Sequence, residues 1–458
     1  MLWILISWGF PVIGPLLYLT AGIDRLPQKG FMKRTRDAEL HKARATYEEA
    51  LPLAYWRGVN TQTTIFNREH DIDLNLYDAL NTISPEYPLL DGNDIIPLVS
   101  GDELYPDMLD AISNASHHIH IQSFIIRNDP IGRKLMKLLA DKAREGVQVR
   151  LLYDRFGSMQ ALFSGLFRPY RKIQNFQIAG WTQVSLMKRQ FQLNLRNHRK
   201  AVIIDGTTAF MGGINIHIEN TSRQSKPAIR DYHFKISGPA VQEIQYAFMR
   251  DWYFMTEEDP EIILQSVYFP SIEKKGKAAA ALVCGGPTNA LQVITDIYFM
   301  AITRAKNQII IVTPYFVPTT DIIRALRSAA IRGVDVRLIL PAKNNHFYAG
   351  WASHALYDEL LQSGIRIFAR TEPFMHAKAM LVDDDIAIIG TANWDVRSLK
   401  LNYETNMAVI NSEFSNCLKR IILEDEAASN EIDLAQWRSR PQWHRLLENA
   451  CSLMTPML

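Results

Sequence analysis

Two short motifs in this chain of 458 residues share one spacing and contain the residue types that phosphodiester chemistry requires. Both fit the pattern H-x-K, four residues, D, six residues, G-[GT]-x-N. Their polar members are His198, Lys200, Asp205 and Asn215 in the first motif, and His376, Lys378, Asp383 and Asn393 in the second. One match could arise by chance, whereas two with identical internal spacing indicate a duplicated catalytic unit.

The paired histidines suit a two-step transfer at phosphorus. One imidazole would attack the phosphorus atom and become a phosphohistidine, while the other would protonate the departing alkoxide. The two lysines and the two asparagine amides would surround the non-bridging oxygens and stabilise their negative charge. This set needs no metal, and the sequence has no metal-ligand spacing such as H-E-x-x-H. We therefore expect neither a metal nor a cofactor.

Each motif should lie at a strand and its following turn. The residues after each motif lysine have strand composition, and side chains at i and i+2 of a strand point to one face, so His198 and Lys200 should share a face. Each motif aspartate begins a turn, and we expect it to hold the strand end rather than contact substrate. A histidine also needs a carboxylate that fixes its tautomer, and candidates downstream in each copy are Asp231 and Glu404.

The duplication extends beyond the motifs. Residues 146–150 and 333–337 both read Gly-Val-x-Val-Arg. Each run follows a helical stretch and precedes an apolar strand. Strands that alternate with helices predict an α/β fold. We expect two units, at residues 89–269 and 270–458, each a mixed β-sheet flanked by helices. If they pack with pseudo-twofold symmetry, His198 and His376 face each other across one cleft.

The amino-terminal segment predicts a membrane anchor. Residues 1–23 contain no charged side chain, and a helix of that length spans roughly 30 Å, the thickness of a bilayer core. A cleaved signal peptide and a buried core helix are the alternatives. Residues 24–88 should form a juxtamembrane helical segment. Its basic flank would keep the catalytic region in the cytoplasm and attract anionic headgroups; its members are Arg25, Lys29, Lys33, Arg34 and Arg36.

Composition excludes some classes of protein. The net charge is only +2, which disfavours a nucleic-acid partner. Cys284, Cys417 and Cys451 are far apart in the sequence, so they indicate inert thiols in a reducing compartment rather than disulfides or a zinc site.

The paired motifs resemble the HKD motifs of the phospholipase D superfamily, and nearly the whole chain is similar to its bacterial cardiolipin synthase branch. Segments that carry the resemblance to this branch include residues 8–14, 313–318, 350–353 and 397–399. The resemblance implies two phospholipase D-like units in the bacterial inner membrane. It also implies a ping-pong transfer between two phosphatidylglycerols, with His198 as nucleophile and His376 as general acid and then base. Two departures stand out, since many relatives have two transmembrane helices and Trp394 replaces a smaller side chain.

Other functions stay open at this point. A hydrolytic phospholipase D and a synthase that uses phosphatidylethanolamine as donor would need the same catalytic groups. A phosphodiesterase nuclease and a non-catalytic membrane scaffold fit the charge or the intact motifs less well. The sequence does not specify the acceptor or the oligomeric state.

Overall fold

The structure is a computed structural model that describes residues 26–46, 74–181, 196–222, 228–287, 292–453 and 455. The predicted anchor over residues 1–23 lies outside these ranges. Within them, no helix combines the length and the apolar composition that crossing a bilayer requires.

The first copy of the repeat and the segment before it contain eight strands and seven helices in the described ranges. The strands are β1 (Leu90–Val99), β2 (His118–Ser123), β3 (Gln148–Asp154), β4 (Phe176–Trp181), β5 (Ala201–Ile204), β6 (Thr208–Gly212), β7 (Ile229–Arg230) and β8 (Tyr232–Ser237). The helices are α1 (Leu26–Thr46), α2 (Leu74–Ile83), α3 (Ser100–Ser113), α4 (Pro130–Arg144), α5 (Met159–Phe163), α6 (Ala240–Thr256) and α7 (Pro260–Ile263).

The second copy repeats this order with additions at its end. Its strands are β9 (Ala278–Gly285), β10 (Gln308–Val312), β11 (Phe316–Val317), β12 (Asp335–Pro341), β13 (Arg366–Arg370), β14 (Phe374–Met375), β15 (Ala379–Val382), β16 (Ile386–Gly390), β17 (Trp394–Asp395), β18 (Glu404–Ile410) and β19 (Ser429–Glu431). Its helices are α8 (Val293–Arg304), α9 (Thr320–Ile331), α10 (Phe347–Gln362), α11 (Val396–Lys400), α12 (Ser412–Ala427), α13 (Leu434–Arg438) and α14 (Gln442–Ser452).

One mixed sheet of 15 strands runs through the described part of both copies. The first copy contributes the order β1-β8-β6-β5-β2-β3-β4, and the second contributes β9-β18-β16-β15-β10-β12-β13 with β19 at the outer edge. The two orders match position by position and meet where β1 pairs antiparallel with β9. A twofold relation between two copies of one unit produces this order. The predicted α/β class with mixed sheets is therefore confirmed.

Helices cover both faces of this sheet. On one face, α6 packs against strands of both copies, so that Ile244 and Phe248 share one apolar core with Phe234 and Met407. On the other face each copy has its own core, built with α3 and α4 in the first and with α8 and α9 in the second. The shared core fixes the two copies relative to each other, and with them the two motifs.

Helix α1 packs against α6 through buried ion pairs. The Lys33 ammonium is 2% exposed and lies 2.8 Å from Asp37 Oδ1 and 3.1 Å from Asp251 Oδ1. Two helix turns after Asp37, Arg44 pairs with Glu243 of α6 at 2.8 Å. The prediction that Lys33 attracts lipid headgroups is therefore wrong, because the buried carboxylate of Asp251 requires a cation inside the protein.

Candidate active site

One cavity of about 370 Å³ contains side chains of both motifs. His198 and Asn215 line it from the first copy, and His376 and Asn393 line it from the second. The cavity is therefore formed at the boundary between the copies. A phosphorus atom bound in this cavity would share it with both imidazoles.

Each motif histidine lies just before its strand rather than on it. Strands β5 and β15 begin one residue after the motif lysines, so the expectation that histidine and lysine are strand residues is wrong. The physical reason is that this backbone bonds to the other copy. The N–H of His198 donates to the carbonyl of Tyr403 at 2.9 Å, and the N–H of His376 donates to the carbonyl of Arg230 at 2.8 Å.

These backbone bonds bring each histidine to a carboxylate of the opposite copy. Tyr403 is followed by Glu404, and Arg230 is followed by Asp231. Nδ1 of His198 lies 2.9 Å from Glu404 Oε2, and Nδ1 of His376 lies 2.7 Å from Asp231 Oδ2. Both proposed orienting carboxylates thus contact a motif histidine, and the pairs cross between the copies.

Glu404 is fully buried and accepts several hydrogen bonds. Besides His198, the hydroxyl of Thr391 donates to Oε2 at 2.6 Å and the amide of Asn402 donates to Oε1 at 3.3 Å. Burial alone would raise the pKa of Glu404, but the neighbouring His198 and Lys200 lower it below its ordinary value. The carboxylate is therefore ionised at neutral pH and holds a proton on Nδ1 of His198.

Asp231 is equally buried but has a different set of partners. Its Oδ2 lies 3.7 Å from the Lys378 ammonium, and its Oδ1 accepts the N–H of Tyr232 at 2.8 Å. Although burial would raise the pKa of Asp231, Lys378 and His376 lower it. Gly213 leaves the space that this carboxylate occupies, since a Cβ there would lie 2.1 Å from Oδ1.

Both imidazoles are neutral at pH 7 in this cavity. Burial lowers the pKa of His198, against the opposing charge of Glu404. Burial and the nearby Lys378 lower the pKa of His376 to about 4, although Asp231 acts in the other direction. The carboxylate beside each Nδ1 favours the tautomer with the proton on Nδ1, which leaves a lone pair on Nε2. Such a nitrogen can attack phosphorus or accept a proton from an alcohol.

The two motif lysines are buried beside the histidines. Lys200 Nζ donates to the carbonyl of His198 at 2.7 Å, and Lys378 Nζ donates to the carbonyl of His376. Burial lowers the pKa of Lys200 to about 7 and that of Lys378 to about 8, despite the attraction of Glu404 and Asp231 respectively. A bound anion would stabilise the charged form of both groups, so the site favours a phosphate in its centre.

The two motif asparagines differ in how they are held. Oδ1 of Asn215 accepts the N–H of Ile125 at 3.1 Å, which leaves its amide N–H groups for the cavity. Oδ1 of Asn393 is buried and has no hydrogen-bond partner among the described residues. Asn215 is therefore oriented as an anion donor, whereas Asn393 offers an acceptor to a ligand that carries hydrogen.

The motif aspartates are not part of the cavity lining. Asp205 accepts the backbone N–H groups of Ser116, His117 and His118 at 2.8–2.9 Å. Asp383 accepts the three equivalent N–H groups, of residues 306–308, in the second copy. Each carboxylate thus caps the start of the strand that neighbours its own, in the structural position expected for these residues.

Several cavity residues were missed as site candidates, and two of them have shifted pKa values. Arg196 and Asp395 both line the cavity with the histidines. Burial and the neighbouring Arg397 lower the pKa of Arg196 to about 10, and burial raises the pKa of Asp395 to about 6. The sequence signal that could have found Asp395 is its position two residues after the motif residue Asn393. Arg196 precedes His198 by the same step.

No metal centre is visible in the described ranges, where no group of three or more His, Cys, Asp or Glu side chains is arranged around a common point. The three cysteines form no disulfide, and Cys284 is buried beside Thr405 rather than in the cavity.

Comparison with known proteins decides the family. The family model described as cardiolipin synthase, PLD-like domain, matches residues 108–252 and 298–426, which contain both motifs. The chain belongs to the bacterial cardiolipin synthases of the phospholipase D superfamily. It is therefore a phosphatidyltransferase of phospholipid biosynthesis, and the resemblance noted from the motifs is confirmed.

Individual relatives agree along the full length. A cardiolipin synthase of Geobacillus thermodenitrificans is 34% identical over 100% of this chain and 88% of its own length. The major cardiolipin synthase of Bacillus subtilis is 32% identical over 100% of this chain and 93% of its own. Among solved structures, the phosphatidylserine synthase of Haemophilus influenzae matches with a TM-score of 0.63 and 14% identity, covering 84% of this chain and 100% of that one. At that identity, the last similarity concerns the fold alone.

Proposed function

We propose that this enzyme joins two molecules of phosphatidylglycerol into cardiolipin and glycerol, through a phosphatidyl group held covalently on His198. The observation that carries the proposal is one cavity with two imidazoles, each held through Nδ1 by a buried carboxylate. Two such rings supply a nucleophile and a proton carrier. The full-length similarity to cardiolipin synthases supports phosphatidylglycerol as donor and acceptor.

In the first half-reaction, Nε2 of His198 attacks the phosphorus of one phosphatidylglycerol. The bond to the headgroup glycerol breaks, and the departing oxygen takes a proton from Nε2 of His376. Glu404 stabilises the positive charge that develops on the phosphorylated ring of His198. His376 must be protonated beforehand, and the anionic phosphodiester raises the pKa of His376 when it binds.

In the second half-reaction, His376 is neutral and removes the proton from a hydroxyl of the second phosphatidylglycerol. The resulting oxygen attacks phosphorus, the P–N bond breaks, and its electron pair returns to Nε2 of His198. Lys200, Lys378 and the amide of Asn215 stabilise the non-bridging oxygens in both steps. His376 ends protonated, ready for the next donor, so that protons and bonds balance over the cycle.

We further propose that residues 1–23 anchor the enzyme as a single-pass protein of the bacterial inner membrane, with the catalytic region in the cytoplasm. The uncharged run and the basic residues after it support this topology. A reporter that is active only in the cytoplasm, fused after residue 458, should be active. Digestion of the carboxyl terminus by protease added outside the cell would contradict the orientation.

A donor with a good leaving group separates the two histidine roles. A p-nitrophenyl phosphatidyl ester needs no protonation to depart, so His376→Ala should release a burst of nitrophenol and trap lipid-linked phosphate on His198. His198→Ala should show neither. Mass spectrometry of the trapped peptide identifies the residue. Lipid found on His376 would reverse the assignment, and full turnover in both variants would refute the covalent mechanism.

The competing activities differ in donor or acceptor. With labelled phosphatidylglycerol, the proposal expects labelled cardiolipin and free glycerol. A predominant yield of phosphatidic acid would indicate a hydrolase, because water would then be the acceptor. Label transferred from phosphatidylethanolamine instead would indicate the alternative donor. Cleavage of labelled DNA would indicate a nuclease.

A further inference from the structure

The carboxyl-terminal helix α14 presents its apolar side chains to solvent. Trp443 and Leu446 lie about one turn apart on this helix, Leu453 follows directly after its last residue, and the three are 54%, 73% and 83% exposed. The opposite face, which packs along α10, contains Glu448, only 4% exposed. An ordinary surface helix has the reverse arrangement, with the apolar stripe inward. Helix α14 is thus suited to contact an apolar environment outside the protein.

Polar contacts explain why the helix keeps this orientation. Arg440 donates to Glu448 Oε1 at 2.7 Å, and the His444 ring packs edge-on against Trp351 of α10 with centroids 5.4 Å apart. These contacts satisfy the inward side chains in place. With the inward side chains packed in this way, the outward leucines remain exposed.

The apolar surface of α14 continues to the opening of the catalytic cavity. The Trp443 and Trp351 rings are 6.3 Å apart. Phe347 lies one helical turn before Trp351 on α10 and is 72% exposed. Its two chain neighbours, His346 and Tyr348, line the cavity that contains the catalytic histidines. The exposed apolar strip thus ends at the catalytic site.

The first copy has a matching feature at the other side of the cavity. Phe163 at the end of α5 is 79% exposed, and Phe156 just before α5 is 43% exposed. The Phe156 ring lies under the guanidinium of Arg196, with 4.0 Å from the ring centroid to the guanidinium carbon, and Arg196 lines the cavity. Exposed apolar side chains therefore flank the cavity from both copies. We call Phe156, Phe163, Phe347, Trp443, Leu446 and Leu453 the apolar rim.

We infer that the apolar rim is a docking surface for the anionic lipid bilayer, which seats the cavity mouth on the membrane that holds its substrate. This inference rests on the proposed function, since the substrate is a phospholipid. Basic side chains accompany the rim, with Arg445 beside Leu446, and Arg168 and Arg171 after Phe163, all exposed. Apolar groups that enter the headgroup region beside such cations are typical of interfacial binding to anionic lipids.

A second copy of this chain fits the rim less well. Helix α14 has 11 residues and is therefore about 16 Å long. One face of such a helix and a few loop side chains cover less than the roughly 800 Å² that each partner buries in a stable interface. The rim is also divided by the cavity mouth, which a dimer contact across it would close.

The test compares turnover on a bilayer with turnover on dissolved substrate, using the full-length enzyme. Leu446→Ser/Leu453→Ser should lower cardiolipin synthesis on phosphatidylglycerol vesicles at least tenfold. Activity on a short-chain phosphatidylglycerol below its micelle concentration should stay unchanged, because that substrate reaches the cavity from water. Ile331→Ser is the matched control, since this residue is 73% exposed at the end of α9 and is not part of the rim; it should leave both activities intact.

Each contrary outcome has one meaning. Unchanged vesicle activity in the double variant overturns the docking surface, and equal loss on both substrates assigns the leucines to folding instead. If light scattering shows that the unaltered enzyme is a dimer and the double variant a monomer, the rim is an interface between copies, which also overturns the inference. Failure of the unaltered enzyme to make cardiolipin from either substrate would refute the proposed function rather than the rim.

Discussion

Replacing Gly213 by alanine tests the crossed histidine–carboxylate pairs from a position that has no side chain of its own. A Cβ at this residue would lie 2.1 Å from Oδ1 and 2.6 Å from Cγ of Asp231, whereas real Cβ contacts essentially never fall below 3.0 Å. The carboxylate must therefore move by about an ångström. Its Oδ2 holds Nδ1 of His376 at 2.7 Å, and that hydrogen bond would be lost or badly bent.

The expected cost follows from the role proposed for His376. Without Asp231 the imidazole no longer has a fixed tautomer, so its assistance as acid and base is largely lost. That assistance is worth about 10²–10⁴-fold, or about 3–5 kcal/mol of transition-state stabilisation. We expect kcat for cardiolipin synthesis to fall in this range in Gly213→Ala. The His198–Glu404 pair does not contact Gly213, so the nitrophenol burst from an activated donor should persist.

Thr391→Ser is the matched control, because Thr391 occupies the equivalent position of the second motif. It keeps the hydroxyl that donates to Glu404 at 2.6 Å, and its kcat should stay within a few-fold of the unaltered enzyme. Thermal unfolding separates a local effect from misfolding in Gly213→Ala. Normal kcat in folded Gly213→Ala would refute the steric argument, and loss of the burst as well would refute the independence of the two pairs.

Three further predictions concern the same framework. Glu404→Gln should abolish the burst as well as turnover, because it disorients the nucleophile itself; a retained burst of normal rate would contradict this. Asp205→Ala should lower the melting temperature, because three consecutive N–H groups lose their acceptor. The loss costs about 1–3 kcal/mol for each group that water does not reach, while kcat of the folded fraction should stay near normal. A normal melting temperature with lost kcat would instead make Asp205 catalytic. Acid should destabilise the fold, because burial lowers the pKa of His118 to about 4 from an ordinary 6.5. Between these two pH values the unfolded chain binds a proton that the folded protein does not. The contribution of His118 to the free energy of unfolding is therefore fully present above pH 6.5 and falls by about 3 kcal/mol as pH drops to 4. Urea melts at pH 7 and 4.5 should show a smaller difference in His118→Gln, and an unchanged difference would argue against this group.

The motif residues could be predicted because their identities and spacing repeat. The duplication indicated that both histidines belong to one site, and the alternation of strands and helices indicated the α/β class. The turn propensity of Asp205 likewise indicated a structural position, which its three backbone hydrogen bonds show. In each case the information is local to a few residues or consists of one internal comparison.

The pairing of histidine with carboxylate could not be predicted in the same way. His198 and Glu404 are separated by 206 positions, and His376 and Asp231 by 145. Each pair depends on backbone bonds across the boundary between the copies, which local patterns do not encode. Because of the same bonds, the histidines lie before the predicted strands rather than on them. The burial of Lys33 could not be predicted for a related reason, since its partner Asp251 lies on a helix that is distant in the sequence.

The crossed pairs give the two histidines different surroundings, although the motifs are copies. The carboxylate of Glu404 is hydrogen-bonded to His198 and to the neutral donors Thr391 and Asn402, and the charge of Lys200 also lowers its pKa. A fixed anion of this kind suits a ring that must remain singly oriented while phosphorus bonds to it and leaves. The carboxylate of Asp231 instead lies near the Lys378 ammonium as well as His376.

A ring that loses a proton in one half-reaction and regains one in the other is better matched to Asp231. As His376 releases its proton, Lys378 supplies a second positive charge that keeps the buried carboxylate compensated. As His376 regains the proton, the anionic phosphate offsets the additional charge. The difference between Gly213 and Thr391 therefore has a chemical consequence: the threonine hydroxyl fixes Glu404 and the glycine leaves Asp231 to its cations. This asymmetry supports the proposal that His198 is the nucleophile, and it does so without using the family resemblance.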